Sequence, residues 1–186
     1  MLPQYETLSL DMDRHVVTVY LDRPDKANSM NAAMWDDLQA CFEWLDEEPA
    51  VRVVILAGRG KHFCAGLDLG MFGGLHGESS LASRRAETLR RTILRLQGNL
   101  SAIERCRKPV LAAIHSSCIG GGVDMTCCAD MRYATEDAFF SIREIDIGMT
   151  ADVGTLQRLP KIIPDGVVRE LAYTGRNMDA EEAREV

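Results

Sequence analysis

The chain has 186 residues, of which 46% are hydrophobic and 26% are charged, and its formal net charge is −7. This length and this balance suit one compact core and exclude a disordered or fibrous protein. The acidic charge also argues against a nucleic-acid partner, because nucleic-acid-binding surfaces are usually basic enough to displace counterions from phosphates. We therefore expect a single globular domain over residues 1–186.

The six cysteines show no paired C-x-x-C spacing, and most of them lie in apolar runs, as buried free thiols do in a reducing compartment. The N-terminal stretch MLPQYETLSLDMDRHVV contains neither an apolar signal core nor an Arg-rich amphipathic segment. No apolar run approaches the ~18 residues that a membrane span needs. The sequence therefore predicts a protein with no membrane partner.

The first half of the chain alternates strand-like and helix-like segments. RHVVTVYL, residues 14–21, is rich in β-branched residues and predicts a strand that ends at the turn-forming DRPDKANS. From Asn31, which has the position of an N-cap, apolar residues recur at helical spacing as far as Leu45. RVVILAG, residues 52–58, predicts a second strand, and a loop that ends in FCAGLDL follows it.

The second half of the chain continues this alternation. A long polar helix with one apolar face is predicted over residues 80–105, followed by the strand VLAAIH. Three glycines, Gly120 to Gly122, then precede a helix predicted to open near Val123. Asp179 has the position of an N-cap, but the sequence stops about two turns later, so we expect a longer protein. Alternating strands and helices predict an α/β layered architecture.

The three consecutive glycines need a physical reason, because glycine costs conformational entropy on folding. A strand, a glycine-rich turn and a helix N-terminus place free backbone N–H groups and the positive end of a helix dipole at one point, which favours an oxyanion. The alternative is that the glycines only permit close packing of helix on strand. FCAGLDL, residues 63–69, is a second glycine loop after a strand, and two such loops can each offer one N–H to the same oxyanion.

FCAGLDL, CIGGGVD and FFSIREIDIGMTADVGTLQRLP resemble the crotonase (enoyl-CoA hydratase/isomerase) superfamily, and the last two resemble most its Δ3,5-Δ2,4-dienoyl-CoA isomerases. The resemblance runs from about Val16 to the last residue. It implies a crotonase-like spiral of ββα units, with the C-terminal helical region missing from this chain. It also implies that the N–H groups of Leu67 and Gly121 form an oxyanion hole for a thioester carbonyl. The implied substrate-binding residues are Ala65, Gly66, Leu67, Asp68, Leu69 and Gly121.

Three carboxylates follow the glycines, Asp124, Glu144 and Asp152, at spacings of 20 and 8 residues that match the dienoyl-CoA isomerases. The resemblance implies that Glu144 and Asp152 move protons at the two ends of a dienoyl chain, while Asp124 holds their protonation states apart. Which of the two is the base and which the acid stays open. Without the resemblance, Asp124 would be a first-turn helix acid, Glu144 would lie on a solvated strand edge, and Asp152 would cap a helix.

The resemblance implies the isomerisation of a 3,5-dienoyl-CoA to a 2,4-dienoyl-CoA in fatty-acid β-oxidation, with acyl-CoA as substrate and with no separate cofactor or metal. Two alternatives stay open. One is another crotonase-type enzyme, either a 2-enoyl-CoA hydratase or a Δ3-Δ2-enoyl-CoA isomerase. The other is a crotonase-fold protein without activity that binds RNA or acts as a scaffold. The family further implies a homotrimer or a dimer of trimers, located in the cytoplasm of a bacterium or in the mitochondria or peroxisomes of a eukaryote.

Overall fold

Eight strands form two sheets in the computed structural model, which describes residues 2–74 and 79–186. In chain order the strands are β1 (Leu8–Asp13), β2 (Val16–Leu21), β3 (Val53–Gly58), β4 (Val110–Ile114), β5 (Ser117–Ile119), β6 (Met131–Ala134), β7 (Phe139–Ser141) and β8 (Met178–Asp179). The larger sheet has the order β1-β2-β3-β4-β6, and the smaller sheet has the order β5-β7-β8. The β1–β2 and β7–β8 pairs are antiparallel, and the remaining pairs are parallel.

The helices cover these sheets and connect their strands. They are α1 (Ala32–Glu47), α2 (Ala82–Arg105), α3 (Gly121–Cys127), α4 (Thr155–Arg158), α5 (Asp165–Thr174) and α6 (Ala180–Glu185). Short 3-10 segments lie at Pro24–Lys26, Leu69–Gly74, Arg143–Ile147 and Leu159–Lys161. The parallel strands β2, β3 and β4 are therefore joined by the long crossovers that parallel pairing requires.

Local sequence explains how the helices begin. Asn31 is the N-cap of α1, and its side chain accepts a hydrogen bond from Met34 N–H, as the sequence predicts. Asp179 likewise caps α6 by accepting from Glu182 N–H at 2.8 Å. Helices α1 and α2 pack together, and the buried side chain of Asn99 on α2 donates to Trp35 O on α1 at 2.7 Å. The two longest helices thus form one packed pair.

The chain changes from the larger sheet to the smaller one between β4 and β5. Ser116 stands at this junction with a positive φ of 51°, which turns the chain sharply. The sequence predicted one strand leading directly into the glycine turn, and this was wrong: the separate strand β5 pairs with β7 before the glycines. Helix α3 also begins at Gly121 rather than near Val123.

No helix in residues 2–74 and 79–186 combines the length and the apolar character needed to cross a bilayer.

Candidate active site

The two predicted glycine loops meet in the structure. Cys64 and Cys118 form an isolated parallel β-bridge, which brings the loop after β3 against β5. A Cβ atom built on Gly66 would lie 2.8 Å from Ile119 O and 3.5 Å from Gly121 N. Because Gly66 also has a φ of +88°, a side chain at this position would be strained as well as crowded. Glycine therefore allows the two backbones to touch.

The N–H groups of Leu67 and Gly121 lie close together and are available as donors. In the bridge between Met30 and Leu67, Met30 N–H donates to Gly66 O and Asp68 N–H donates to Met30 O. Because peptide groups alternate in direction along extended backbone, the N–H of Leu67 points away from Met30. Gly121 is the first residue of α3, where an N–H has no acceptor in its own helix. Leu67 N lies 3.8 Å from the position of a Cβ on Gly121.

Gly120 provides the space for Glu144. Its backbone has φ +50° and ψ −113°, a conformation that residues with a side chain avoid. A Cβ built on Gly120 would lie 2.9 Å from Glu144 Oε1. The carboxylate of Glu144 therefore rests directly on the glycine turn at Gly120, the residue before α3.

The other two glycines are required by packing. A Cβ on Gly121 would lie 3.0 Å from Met30 Sδ, and a Cβ on Gly122 would lie 3.0 Å from Cys64 Cβ. Both contacts are tighter than a real side chain accepts without movement of its neighbour. Close packing therefore accounts for Gly121 and Gly122, while the role of the Gly121 N–H as an oxyanion donor stays a prediction.

Asp124 is buried in α3, with 1% of its surface exposed. Its Oδ1 accepts two hydrogen bonds from Thr155, one from the backbone N–H and one from the side-chain hydroxyl, each at 2.7 Å. Burial raises the pKa of Asp124 to about 6, and the nearby charge of Asp152 acts in the same direction, while the two bonds from Thr155 oppose the rise. Asp124 therefore lies in α3 and also holds the first residue of α4 through hydrogen bonds.

Glu144 lies in the 3-10 segment Arg143–Ile147, so the alternative of a solvated strand edge is wrong. Its Oε2 is buried and accepts no hydrogen bond from the described residues. Burial raises the pKa of Glu144 to about 7, and the negative charge of Asp124 adds to this effect. A carboxyl group with a pKa near neutrality and an unused oxygen is well suited to exchange a proton.

Asp152 lies between the 3-10 segment and α4. The N-cap of α4 is Gly154, and the first N–H of this helix donates to Asp124 rather than to Asp152, so the alternative role of Asp152 as a helix cap is wrong. Its backbone carbonyl accepts a hydrogen bond from Gln97 Nε2 on α2 at 2.6 Å. Burial raises the pKa of the Asp152 side chain above its ordinary value.

A cavity of about 670 Å³ connects these groups. Its wall contains all three predicted catalytic carboxylates, both predicted oxyanion donors, and apolar side chains from α1 and α2. The predicted residues that line it are Ala65, Gly66, Leu67, Leu69, Gly121, Asp124, Glu144 and Asp152. The apolar part includes Trp35, Leu89, Ile93 and Leu96. The cavity can therefore hold an apolar chain with a polar head at the glycine loops.

Asp68 is the one predicted site residue that does not line this cavity. Its Oδ1 accepts from Gly70 N–H at 3.0 Å, and its Oδ2 pairs with Arg23 Nη1 at 3.0 Å. Both interactions, the first more than the second, lower the pKa of Asp68. In this structure Asp68 holds the shape of the loop that carries Leu67.

Sequence reasoning missed Asn28, which it treated only as part of a turn. Asn28 is fully buried with φ +53°, and its Nδ2 donates to the carbonyls of Arg59, His62 and Phe63 at 2.8–3.1 Å. Its Oδ1 accepts from Arg23 N–H at 2.9 Å. Asn28 therefore fixes the path of the chain from β3 into the first glycine loop. Asparagine in a Pro-containing turn is too common in loops for one sequence to single it out.

Within residues 2–74 and 79–186, no group of three or more His, Cys, Asp or Glu side chains is arranged to hold a metal ion. His62 Nδ1 lies 3.1 Å from Ser116 Oγ, and the buried Cys64 thiol donates to Asn28 O. Burial raises the pKa of the Cys64 thiol to about 12, which disfavours the thiolate that a metal would require.

Comparison with known proteins gives consistent matches. The family model described as enoyl-CoA hydratase/isomerase matches residues 11–186. The peroxisomal Delta(3,5)-Delta(2,4)-dienoyl-CoA isomerase of Arabidopsis thaliana is 42% identical over 191 residues, which cover 100% of this chain and 69% of that protein. The mitochondrial Delta(3,5)-Delta(2,4)-dienoyl-CoA isomerase of Rattus norvegicus is 45% identical over 183 residues, which cover 96% of this chain and 56% of that protein.

A solved structure supports the same assignment of fold. The crystal structure of a protein described as an enoyl-CoA hydratase of Thermobifida fusca YX, in complex with acetoacetyl-CoA, has a TM-score of 0.84 at 29% identity. The match covers 96% of this chain and 70% of that chain. The predicted crotonase-like α/β fold and the predicted resemblance to dienoyl-CoA isomerases are confirmed.

Proposed function

Because the chain belongs to the enoyl-CoA hydratase/isomerase family, we propose that it converts a 3,5-dienoyl-CoA to the 2,4-dienoyl-CoA. The observation that carries this proposal is the presence of Asp124, Glu144 and Asp152 in one cavity with a pair of backbone donors. The named activity of relatives that are 42% and 45% identical supports the substrate class. The acetoacetyl-CoA complex of a structural neighbour supports an acyl-CoA ligand.

The proposed reaction begins at the glycine loops. The thioester carbonyl accepts hydrogen bonds from the N–H groups of Leu67 and Gly121. Loss of a proton from C2 turns this carbonyl into an enolate, and fixed donors stabilise the charge that develops on its oxygen. Each donor of this kind typically lowers the transition-state free energy by ~3 kcal/mol.

Glu144 is the proposed base at C2. The atom C2 is bonded to the thioester carbonyl carbon, so its base must lie close to the oxyanion donors. Glu144 satisfies this condition because its Oε1 would be only 2.9 Å from a Cβ on Gly120, the residue before Gly121. Its pKa of about 7 makes it an effective base near neutral pH.

Asp152 is the proposed acid at C6. C2 and C6 lie several ångströms apart on the conjugated chain, so a carboxylate within hydrogen-bond reach of one does not reach the other. Asp152 gives its proton to C6, and the double bonds move from C3=C4 and C5=C6 to C2=C3 and C4=C5. One turnover leaves the proton on Glu144 and the charge on Asp152, and proton exchange with solvent restores both groups.

The test supplies 3,5-dienoyl-CoA and follows the ultraviolet absorbance of the 2,4-dienoyl thioester. It uses the 186-residue chain and, where the encoded protein is longer, the encoded protein too. Formation of the 2,4-diene supports the proposal. Consumption of 2-enoyl-CoA or of a Δ3-enoyl-CoA, without turnover of the dienoyl substrate, would instead identify a hydratase or a Δ3-Δ2 isomerase. RNA binding that weakens with salt, with no turnover of any substrate, would favour the non-catalytic alternative.

We also propose a homotrimer or a dimer of trimers for the protein that contains this chain. Strand β6 is an edge of the larger sheet in the described residues, and it exposes 40% of Met131 and 59% of Tyr133. An exposed edge with apolar side chains is typical of a subunit contact. Light scattering that finds only a monomer would contradict this assembly.

A further inference from the structure

We propose that Thr155 is a positioning residue, which fixes one oxygen of Asp124 and leaves the other oxygen for the cavity that Glu144 also lines. Thr155 does not line this cavity, so it would act on the reaction only through Asp124. The inference rests on the proposed function, because it assigns a role within the same site.

The contact between these two residues is specific. Thr155 and Asp124 are each only 1% exposed. Both donors of Thr155, the N–H and the hydroxyl, converge on Asp124 Oδ1 at 2.7 Å. Two donors on one oxygen fix the rotation of the carboxyl group, and Oδ2 accepts no hydrogen bond from the described residues.

The donor itself is held by a helix scaffold. Thr155 is the first residue of α4, and Arg158 at the end of α4 donates to Glu104 Oε2 on α2 at 3.0 and 2.7 Å. Arg158 also donates to Ser101 Oγ on α2 at 3.0 Å. A substitution that removes only the hydroxyl of Thr155 therefore leaves the backbone N–H in place.

The charged groups around Asp124 determine how the Thr155 hydroxyl affects the ionisation of Asp124. Glu144 and Asp152 are the nearby carboxylates, and Arg158, already paired with Glu104, is the nearby cation. The surrounding thiols have pKa values raised by burial and are neutral at physiological pH: Cys118, Cys127 and Cys128. The hydroxyl bond stabilises the ionised form of Asp124 against the cost of burial.

Loss of this bond should change both carboxyl groups in opposite directions. The pKa of Asp124 should rise above about 6, so that a larger fraction of Asp124 is neutral near pH 7. A neutral Asp124 no longer repels the negative charge of Glu144, so the pKa of Glu144 should fall below about 7. A purely structural role for Thr155 predicts neither change.

The first test does not depend on activity. Carboxyl-carbon NMR titration is carried out on the parent, on Thr155→Val, which keeps the size but removes the hydroxyl, and on Thr155→Ser, which keeps the hydroxyl. We expect Thr155→Val to raise the midpoint of Asp124 and lower that of Glu144 by about one pH unit, and Thr155→Ser to match the parent. Unmoved midpoints in Thr155→Val, or equal shifts in both variants, would overturn the proposal. If Thr155→Val does not fold, Thr155→Ala removes the same hydroxyl without any risk of overpacking.

The second test measures kcat/KM for the dienoyl substrate against pH. In the parent the rate should rise with pH as Glu144 ionises, and in Thr155→Val this rise should move to lower pH by about one unit. Asp124→Asn should show the same movement, and adding Thr155→Val to it should produce no further shift. If the NMR midpoints move but no dienoyl turnover is seen in any variant, the proposed reaction fails while the role of Thr155 stands.

Discussion

Replacing Gly120 with alanine tests whether the glycine turn holds Glu144 in place. The new Cβ would lie 2.9 Å from Glu144 Oε1, at a residue with φ +50° and ψ −113°. Backbone strain of this kind costs about 1–3 kcal/mol, and the reduced entropy of the unfolded chain returns about 0.4–1 kcal/mol. The net loss of about 1–2 kcal/mol should lower Tm by roughly 2–8 °C for a chain of this size. Displacement of the carboxylate by about 1 Å should reduce kcat for dienoyl isomerisation by about 10²-fold.

Gly98→Ala is the matched control, because it makes the same chemical change inside α2. A Cβ built on Gly98 would have no atom within 4 Å beyond the adjacent backbone of its own helix. Alanine favours a helix interior over glycine by roughly 0.5–1 kcal/mol. This variant should raise Tm by about 1–4 °C and leave turnover unchanged. Calorimetry and the absorbance assay measure both variants. If Gly120→Ala keeps the parent Tm and the parent kcat, the contact with Glu144 does not organise the site.

Three further predictions address the carboxylates and the loop that leads to them. Asp152→Asn should slow isomerisation by about 10²- to 10⁴-fold while deuterium exchange at C2 in heavy water continues; loss of exchange as well would make Asp152 the base at C2. Because the folded-state pKa values of Asp124 (about 6) and Glu144 (about 7) lie above their ordinary values, their neutral forms favour folding at low pH, and this contribution is lost as pH rises from about 4 to about 7. The free energy of unfolding, measured with urea, should therefore fall less between pH 4 and pH 7 in Asp124→Asn than in the parent, by up to about 3 kcal/mol. An equal fall in both proteins would contradict the raised pKa of Asp124. Asn28→Ala should lower the free energy of unfolding by about 2–4 kcal/mol, since it leaves buried carbonyls without donors; a stability equal to that of the parent would show that water replaces the amide.

Sequence patterns predicted the features that depend only on neighbouring residues, such as helix caps. Asn31 and Asp179 cap helices at the predicted positions because an N-cap acts within three residues of itself. Strand β1 was missed although Leu8, Leu10 and Met12 alternate with polar residues, because it lacks the β-branched residues that mark β2. Strand β5 has only three residues, too few for a periodic pattern.

The residues that hold the site carboxylates in place could not be identified from a single sequence. The carboxylates and the two glycine loops were identified because their spacing resembles a family. Their partners lie far away along the chain: Thr155 is 31 residues from Asp124, and Gln97 is 55 residues from Asp152. Thr155 and Gln97 are ordinary helix residues in composition. Thr155 gains its contact because α4 packs against α3, and Gln97 gains its contact because α2 lies against the loop that precedes α4.

Helix α2 performs two tasks on adjacent turns. Leu89, Ile93 and Leu96 line the cavity, and the next residue, Gln97, holds the backbone carbonyl of Asp152. A movement of α2 that lengthens or shortens the space for an acyl chain would therefore also move Gln97, which holds the backbone of the proposed acid, Asp152. Under the proposed function, selection for a different acyl-chain length and selection for rapid proton delivery would act on the same helix. We therefore expect substrate range to change through substitutions that reshape the side chains of α2 while its axis stays fixed.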